Sequence, residues 1–113
     1  MVIMTEDKIL KMAPGREMNI IVAKEVMGHE VACDEFVGDT ERFLDGDGNS
    51  VWSNLTAYSE DVSAAQAVIN KAVEMGVSDA GTWWDFGAGQ YRPAEAVCKK
   101  ALIEKAKGRM NRS

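Results

Sequence analysis

Apolar residues recur at three- and four-residue steps in three stretches of this chain, the spacing of one helical face. In the first stretch the stripe is Met18, Ile21, Val22 and Val26. Pro14 suits the first position of a helix and Gly28 suits a left-handed stop, so the pattern predicts a helix over 14–27. In the second, Val62, Ala65, Ile69, Ala72 and Val73 form the stripe, and Gly76 ends it. Ser59 is placed to cap the free amides there, with Glu60 and Asp61 in the first turn, where the helix dipole favours them. Pro93 opens the third helix; its stripe is Ala94, Val97, Cys98, Ala101 and Leu102, and Glu95 is set to meet Lys99 one turn on. Thr5 to Met12 predicts one or two further turns with Thr5 as the cap.

Between the first two helices the pattern changes to short mixed runs. Glu41-Arg42-Phe43-Leu44 and Asn49-Ser50-Val51-Trp52 flank Asp45-Gly46-Asp47-Gly48, which predicts a β-hairpin. Val31 to Val37 adds a strand. Thr82-Trp83-Trp84-Asp85-Phe86 is rich in β-prone side chains and predicts another, broken by Gly87-Ala88-Gly89. The sum is one α+β domain over residues 1–107, a small antiparallel sheet layered with three helices. Residues 108–113 form a polar, basic tail expected to fray.

Composition fits that class. The chain has 113 residues, 46 % hydrophobic and 27 % charged, close to the globular average, so a core can form without disulfides or metal. The net charge of −5 argues against nonspecific binding to nucleic acid or to anionic membranes. Charge is also polarised. Nine acidic residues lie between Glu30 and Asp61 against Arg42 alone, and seven basic residues lie between Arg92 and Ser113 against Glu95 and Glu104. That describes either two docking surfaces of opposite sign, or solvated loops plus a helix whose basic end suits its own dipole. Cys33 and Cys98 stand far apart with no Cys-x-x-Cys, no apolar run at the start resembles a signal peptide, and no stretch approaches a membrane span. A cytoplasmic protein is the expectation.

Three ordered segments carry a resemblance. They are Gly15-Arg16-Glu17-Met18 running on to Val22-Ala23-Lys24-Glu25-Val26-Met27-Gly28; Tyr58-Ser59-Glu60-Asp61-Val62-Ser63-Ala64-Ala65 with Val68; and Pro93-Ala94-Glu95-Ala96-Val97-Cys98-Lys99 closing on Ala101-Leu102. In this order and spacing the chain resembles the phage ABA-sandwich domain, a family of small phage and prophage proteins. His29 stands where the family tends to have an aromatic after Met-Gly, and Gln66 where it tends to have Trp. The resemblance implies an α/β/α sandwich-like layering and a phage or prophage origin, hence the cytoplasm of a bacterial host. It implies no activity.

The motifs that invite chemistry do not complete themselves. Asp45-Gly46-Asp47-Gly48-Asn49 looks like a calcium loop, but a frame starting at Asp45 puts Ser50 where Gly is needed and Thr56 where Glu is needed, and one starting at Phe43 lacks the first ligand. Asp85-Phe86-Gly87 spells a kinase tripeptide without the rest of a kinase. Gly87-x-Gly89 ahead of a helix has no Lys, Ser or Thr following to make a phosphate loop. His29 and Cys33 are four apart, too few for zinc, and any nucleophilic triad would rest on His29 alone. The paired carboxylates Asp34-Glu35 and Glu60-Asp61 are adjacent residues that do not face one another, helix-cap duty explains the second pair, and nothing favours a glycosidase-like acid–base pair.

Trp83 and Trp84 would point to opposite faces of a strand. Both are core if helices cover both faces; one is exposed if a face is open, and beside Tyr91 it would make a partner surface. No catalytic constellation, metal set or cofactor is indicated. The expectation is a non-catalytic protein-interaction module with an unidentified host or phage protein as partner, and no membrane. The alternative is a small nucleotide- or nucleic-acid-binding module using the Gly87–Gly89 turn and the basic residues of the third helix and tail, Lys99, Lys100, Lys105, Lys107, Arg109 and Arg112.

Overall fold

The structure, a computed structural model, describes residues 5–87 and 89–108. Helix α1 (Glu6–Lys11) starts at Thr5 as expected, the hydroxyl accepting from the Lys8 amide at 3.3 Å. Helix α2 (Arg16–Ile21) runs without a break into a π-helical stretch, Val22–Val26. The wider turn shows where the Met27 amide reaches back five residues to the Val22 carbonyl, at 3.0 Å. Met18, Val22, Ala23 and Val26 are buried along it. Gly28, at φ 72°, then stops the helix, and the His29 amide closes on the Ala23 carbonyl at 2.9 Å. Pro14 is not the first helical residue. Gly15 takes the cap position, and its amide is held by the Ser59 hydroxyl at 2.9 Å.

Three strands follow, β1 (Glu30–Asp34), β2 (Gly38–Leu44) and β3 (Ser50–Asn54), in an antiparallel meander of order β1-β2-β3. The predicted hairpin is present with Leu44 opposite Ser50. Its turn is organised by Asp45, whose carboxylate accepts from the amides of Asp47 and Asn49, both at 2.9 Å. Asp34 turns the chain between β1 and β2 in the same way, accepting from the amides of Phe36 and Val37. Strand alternation then sorts the side chains. Val31, Cys33, Asp39, Glu41, Phe43, Val51 and Ser53 share the face toward the helices; Glu30, Ala32, Thr40, Arg42, Leu44 and Trp52 share the other.

Helix α3 (Val62–Glu74) is capped by Asp61, which accepts from the Ser63 amide at 2.8 Å, and not by Ser59. Ser59 is committed elsewhere: it is buried, and its hydroxyl donates to Asn19 Oδ1 at 2.7 Å while accepting from Gly15. Ala65, Val68, Ile69 and Ala72 form the buried face, leaving Val62 and Val73 exposed. Residues 82–86 are not a strand. Ala80–Asp85 is a 3₁₀ helix, whose three-residue repeat brings Ala80 and Trp83 to one side, with Phe86 next in step, all packed on the core. The residues after it turn at Gly87, at φ 84°, where a Cβ would lie 2.6 Å from the Tyr91 ring.

Helix α4 (Pro93–Ala106) is the centre of the molecule. It packs against α1, the π-helical stretch, α3 and the 3₁₀ helix. It is consequently buried on almost every side, including Ala96 and Ile103, which the single-stripe expectation left outside. Val97, Leu102 and Ile103 each contribute about 1.5–3 kcal/mol by leaving water. The Cα radius of gyration, 13.6 Å, is that of one packed domain of this length, about 13 Å. The α+β class expected from the pattern is what the structure has. Among the described residues its helices lie on one side of the sheet. The expected fraying of the tail falls mostly on 109–113, outside the described residues.

Candidate functional site

Glu41 sits in the middle of β2 at a position whose parity points inward, and the residue is only 1 % exposed. Burying a charge requires partners. Glu41 has three: its Oε1 accepts from the Tyr58 hydroxyl and from His29 Nδ1, each at 2.6 Å, and its Oε2 accepts from the Thr56 amide at 2.6 Å. Burial pushes the Glu41 pKa up, and the hydrogen bonds from Tyr58, His29 and Thr56 outweigh it, leaving the group below its ordinary value. Burial and the neighbouring carboxylate hold the Tyr58 hydroxyl far above the usual phenol range. The group joins three segments: the exit of α2 through His29, the sheet through Glu41, and the 55–61 connection through Thr56 and Tyr58.

An ionised Glu41 fixes the proton of His29 on Nδ1 and leaves Nε2 as the free nitrogen. The ring leans on Phe43, centroids 5.9 Å apart. It borders a cavity of about 410 Å³ lined by residues that include Met27, Phe43, Leu44 and Lys71. Sequence inspection treated His29 as a residue short of partners, and spacing alone could not supply Glu41, twelve positions on. The available signal was an acidic residue on the inward parity of a strand, flanked two positions on by Phe43.

His29 and Cys33 do not converge. Cys33 is exposed, and its sulfur receives a weak contact from Arg16 at 3.5 Å. Arg16 is clamped by Asp39 in a two-pronged pair at 2.5 and 3.0 Å, which lowers the Asp39 pKa. Among the described residues, no group of three or more His, Cys, Asp or Glu is placed to hold a metal ion. The Asp45 carboxylate is engaged in the hairpin turn, accepting from the amides of Asp47 and Asn49.

The second feature is the open face of the sheet. Trp52 lies opposite Arg42 on that face and is 49 % exposed, with Leu44 diagonal to it and also exposed. At the far end, the turn that Asp34 organises holds Phe36 91 % exposed, beside an exposed Val37. Arg42 ties this face together by pairing with Glu30 and donating to the Ser50 hydroxyl at 3.1 Å.

The residues singled out from sequence lie elsewhere. Trp83 is in the core at 3 % exposure, Trp84 is half-buried against the core, and Tyr91 stacks near Phe86 with Lys99 Nζ 3.9 Å above its ring. The alternation expected of the two tryptophans does not apply to a 3₁₀ helix. Nor is α4 a basic surface. Lys99 is 2 % exposed; its ammonium donates to the Leu10 carbonyl and pairs with Glu95, both at 2.8 Å. Lys100 pairs with Glu104 at 2.9 Å, and Lys107 approaches Glu6 at 3.8 Å. Arg109 and Arg112 lie outside the described residues. At Gly87 the Tyr91 ring lies so close that a Cβ would meet it at 2.6 Å.

No helix among the described residues is long and apolar enough to cross a membrane. Comparison with models of protein families, with curated proteins and with solved structures finds no match.

Proposed function

We propose that this chain is a small phage- or prophage-encoded accessory protein that acts in the cytoplasm of a bacterial host by binding a host or phage protein, without chemistry of its own. The open face of the sheet carries the reading. A meander with one face unpacked and with Trp52, Leu44, Phe36 and Val37 in water keeps apolar area of the kind that partner proteins cover. Acidic residues surround it, Glu30, Asp34, Glu35, Asp45 and Asp47 among them, so a basic partner surface is the complement. The phage assignment rests on the three ordered segments that resemble the phage ABA-sandwich family.

The test is affinity capture from bacterial host lysate with the wild-type chain and with Trp52→Ser/Leu44→Ser, both verified as folded by their melting curves. A specific partner held by the wild type and lost by the variant supports the reading. A partner that the variant retains removes the sheet face from it, and a folded wild-type chain that captures nothing specific removes the interaction reading itself.

A further inference from the structure

Independently of a host or phage partner, we propose that two copies of this chain pair through the free edge of β3, joining their meanders into one continuous sheet about a two-fold axis at Trp52. The ladder fixes which backbone groups are free. The Leu55 amide donates to the Asp39 carbonyl and the Asp45 amide to the Asn49 carbonyl, both at 2.9 Å. These two bonds bracket the β2–β3 register, in which Glu41 faces Ser53 and Phe43 faces Val51. Antiparallel ladders alternate, so Val51 and Ser53 commit their N–H and C=O groups to β2, while Ser50, Trp52 and Asn54 turn theirs outward. The same three residues are the exposed ones of the strand. Among the described residues, β2 is the one element that β3 packs against extensively, and no loop backbone bonds to Ser50–Asn54. The Ser53 hydroxyl reaches the Asn54 carbonyl only at 3.5 Å.

The chemistry of this edge selects a second copy as its occupant. An open strand is ordinarily guarded by charge or by proline, and Ser50-Val51-Trp52-Ser53-Asn54 has neither. Laid antiparallel on its twin about Trp52, the strand sets Ser50 opposite Asn54 and Trp52 opposite Trp52. Each facing pair then exchanges both of its backbone bonds. All three side chains share the open face, so the two indoles meet as a cross-strand pair and cover apolar area that a single copy leaves in water. The other edge of the meander does not suit the same arrangement. Pairing β1 with itself about Ala32 would set Glu30 opposite Asp34 on both sides of the axis, acid against acid.

Five residues a side is short against the roughly 20–30 of a stable interface, so a Kd of about 0.1–1 mM is the scale expected. The intact protein is followed by NMR from about 0.02 to about 2 mM, in about 0.3 M salt to screen the charge of −5 on each copy. Translational diffusion should slow toward that of a dimer as concentration rises. Over the same range, solvent exchange of the Trp52 amide should slow about two- to five-fold as the monomer fraction falls. The Val31 and Cys33 amides, which point outward from β1, should exchange at a constant rate. Trp52→Lys sets like charges opposite one another at the axis and should stay monomeric throughout. Trp52 is half-exposed on the open face, so this variant should melt with the wild type. The wild-type exchange comparison decides the question even where the variant does not fold. The proposal is overturned if the wild type diffuses as a monomer at about 2 mM, if a folded Trp52→Lys associates as tightly as the wild type, or if association leaves exchange of the Trp52 amide unchanged, as stacking of two open faces would.

Discussion

Replacing Glu41 tests whether the buried carboxylate holds three segments together. Glu41→Gln keeps the shape of the side chain but swaps one acceptor oxygen for a donor. If the amide oxygen keeps Tyr58 and His29, the new NH₂ faces the Thr56 amide, donor against donor. The loss of one charge-assisted bond and the orphaning of a part-buried N–H cost about 1–3 kcal/mol. At this chain length that is a fall in melting temperature of roughly 4–12 °C. Glu41→Ala strands all three donors and should cost about 3–5 kcal/mol. Urea unfolding followed by circular dichroism measures both. A cycle with Tyr58→Phe isolates the pair: the phenylalanine variant should cost about 1.5–3 kcal/mol with Glu41 present and little in the Glu41→Ala background. The pH dependence has a definite sign. The folded Glu41 pKa lies below its ordinary 4.5, so its stabilisation is complete above that value and is lost as pH falls through the folded pKa. Wild type and Glu41→Gln should therefore converge in acid and separate toward neutrality. Equal stability of the two near pH 7, within about 0.5 kcal/mol, would refute the view that this network ties the sheet to its neighbours.

The buried Lys99 should behave as an ion that cannot lose its partner. Lys99→Met leaves Glu95 and the Leu10 carbonyl unmatched and should cost about 3–5 kcal/mol in denaturant unfolding, whereas Lys99→Met/Glu95→Leu should recover most of that. Asp61→Ala, which removes the cap of α3, should cost about 1 kcal/mol, while Ser59→Ala should cost about 1–3 kcal/mol by opening the buried Asn19–Gly15 contacts; equal and negligible losses would contradict both assignments. Thiol titration should find Cys33 reactive in the native protein and Cys98 protected until unfolding, since burial pushes the Cys98 thiol up to about 12.

The helices and the hairpin were legible because their signals are local: stripes three and four apart, a cap at Thr5, a stop at Gly28, an Asp-Gly turn after Leu44. The segment around Trp83 misled for an identifiable reason. Two tryptophans and a phenylalanine are β-prone in general, yet the relevant spacing was Ala80, Trp83 and Phe86, a period of three set by the demand to reach α4. The spacing points to Ser59 as the cap with Asp61 in the first turn; the cap is Asp61 because Asn19, forty positions away, holds Ser59. The same holds for Lys99 and Glu41. Each looks like surface in a one-dimensional pattern: Glu95 is visible one turn before Lys99, but the Leu10 carbonyl that also holds the ammonium, and the Tyr58, His29 and Thr56 donors around Glu41, come from distant positions. The carboxylate–histidine pair was out of reach of spacing arguments for that reason.

Helix α4 fills the middle of the core, yet its residues are made late in synthesis. At about 5–20 residues per second, Val97 follows Val26 by roughly 4 to 14 s. The meander need not wait, since each of its strands pairs with its immediate neighbour in the chain. The apolar faces of the π-helical stretch and of α3 must wait, for α4 is the surface they close upon. During that interval they are exposed to chaperones and to other nascent chains alike. A chain halted before Pro93 holds everything needed for the hairpin and nothing to close the core around.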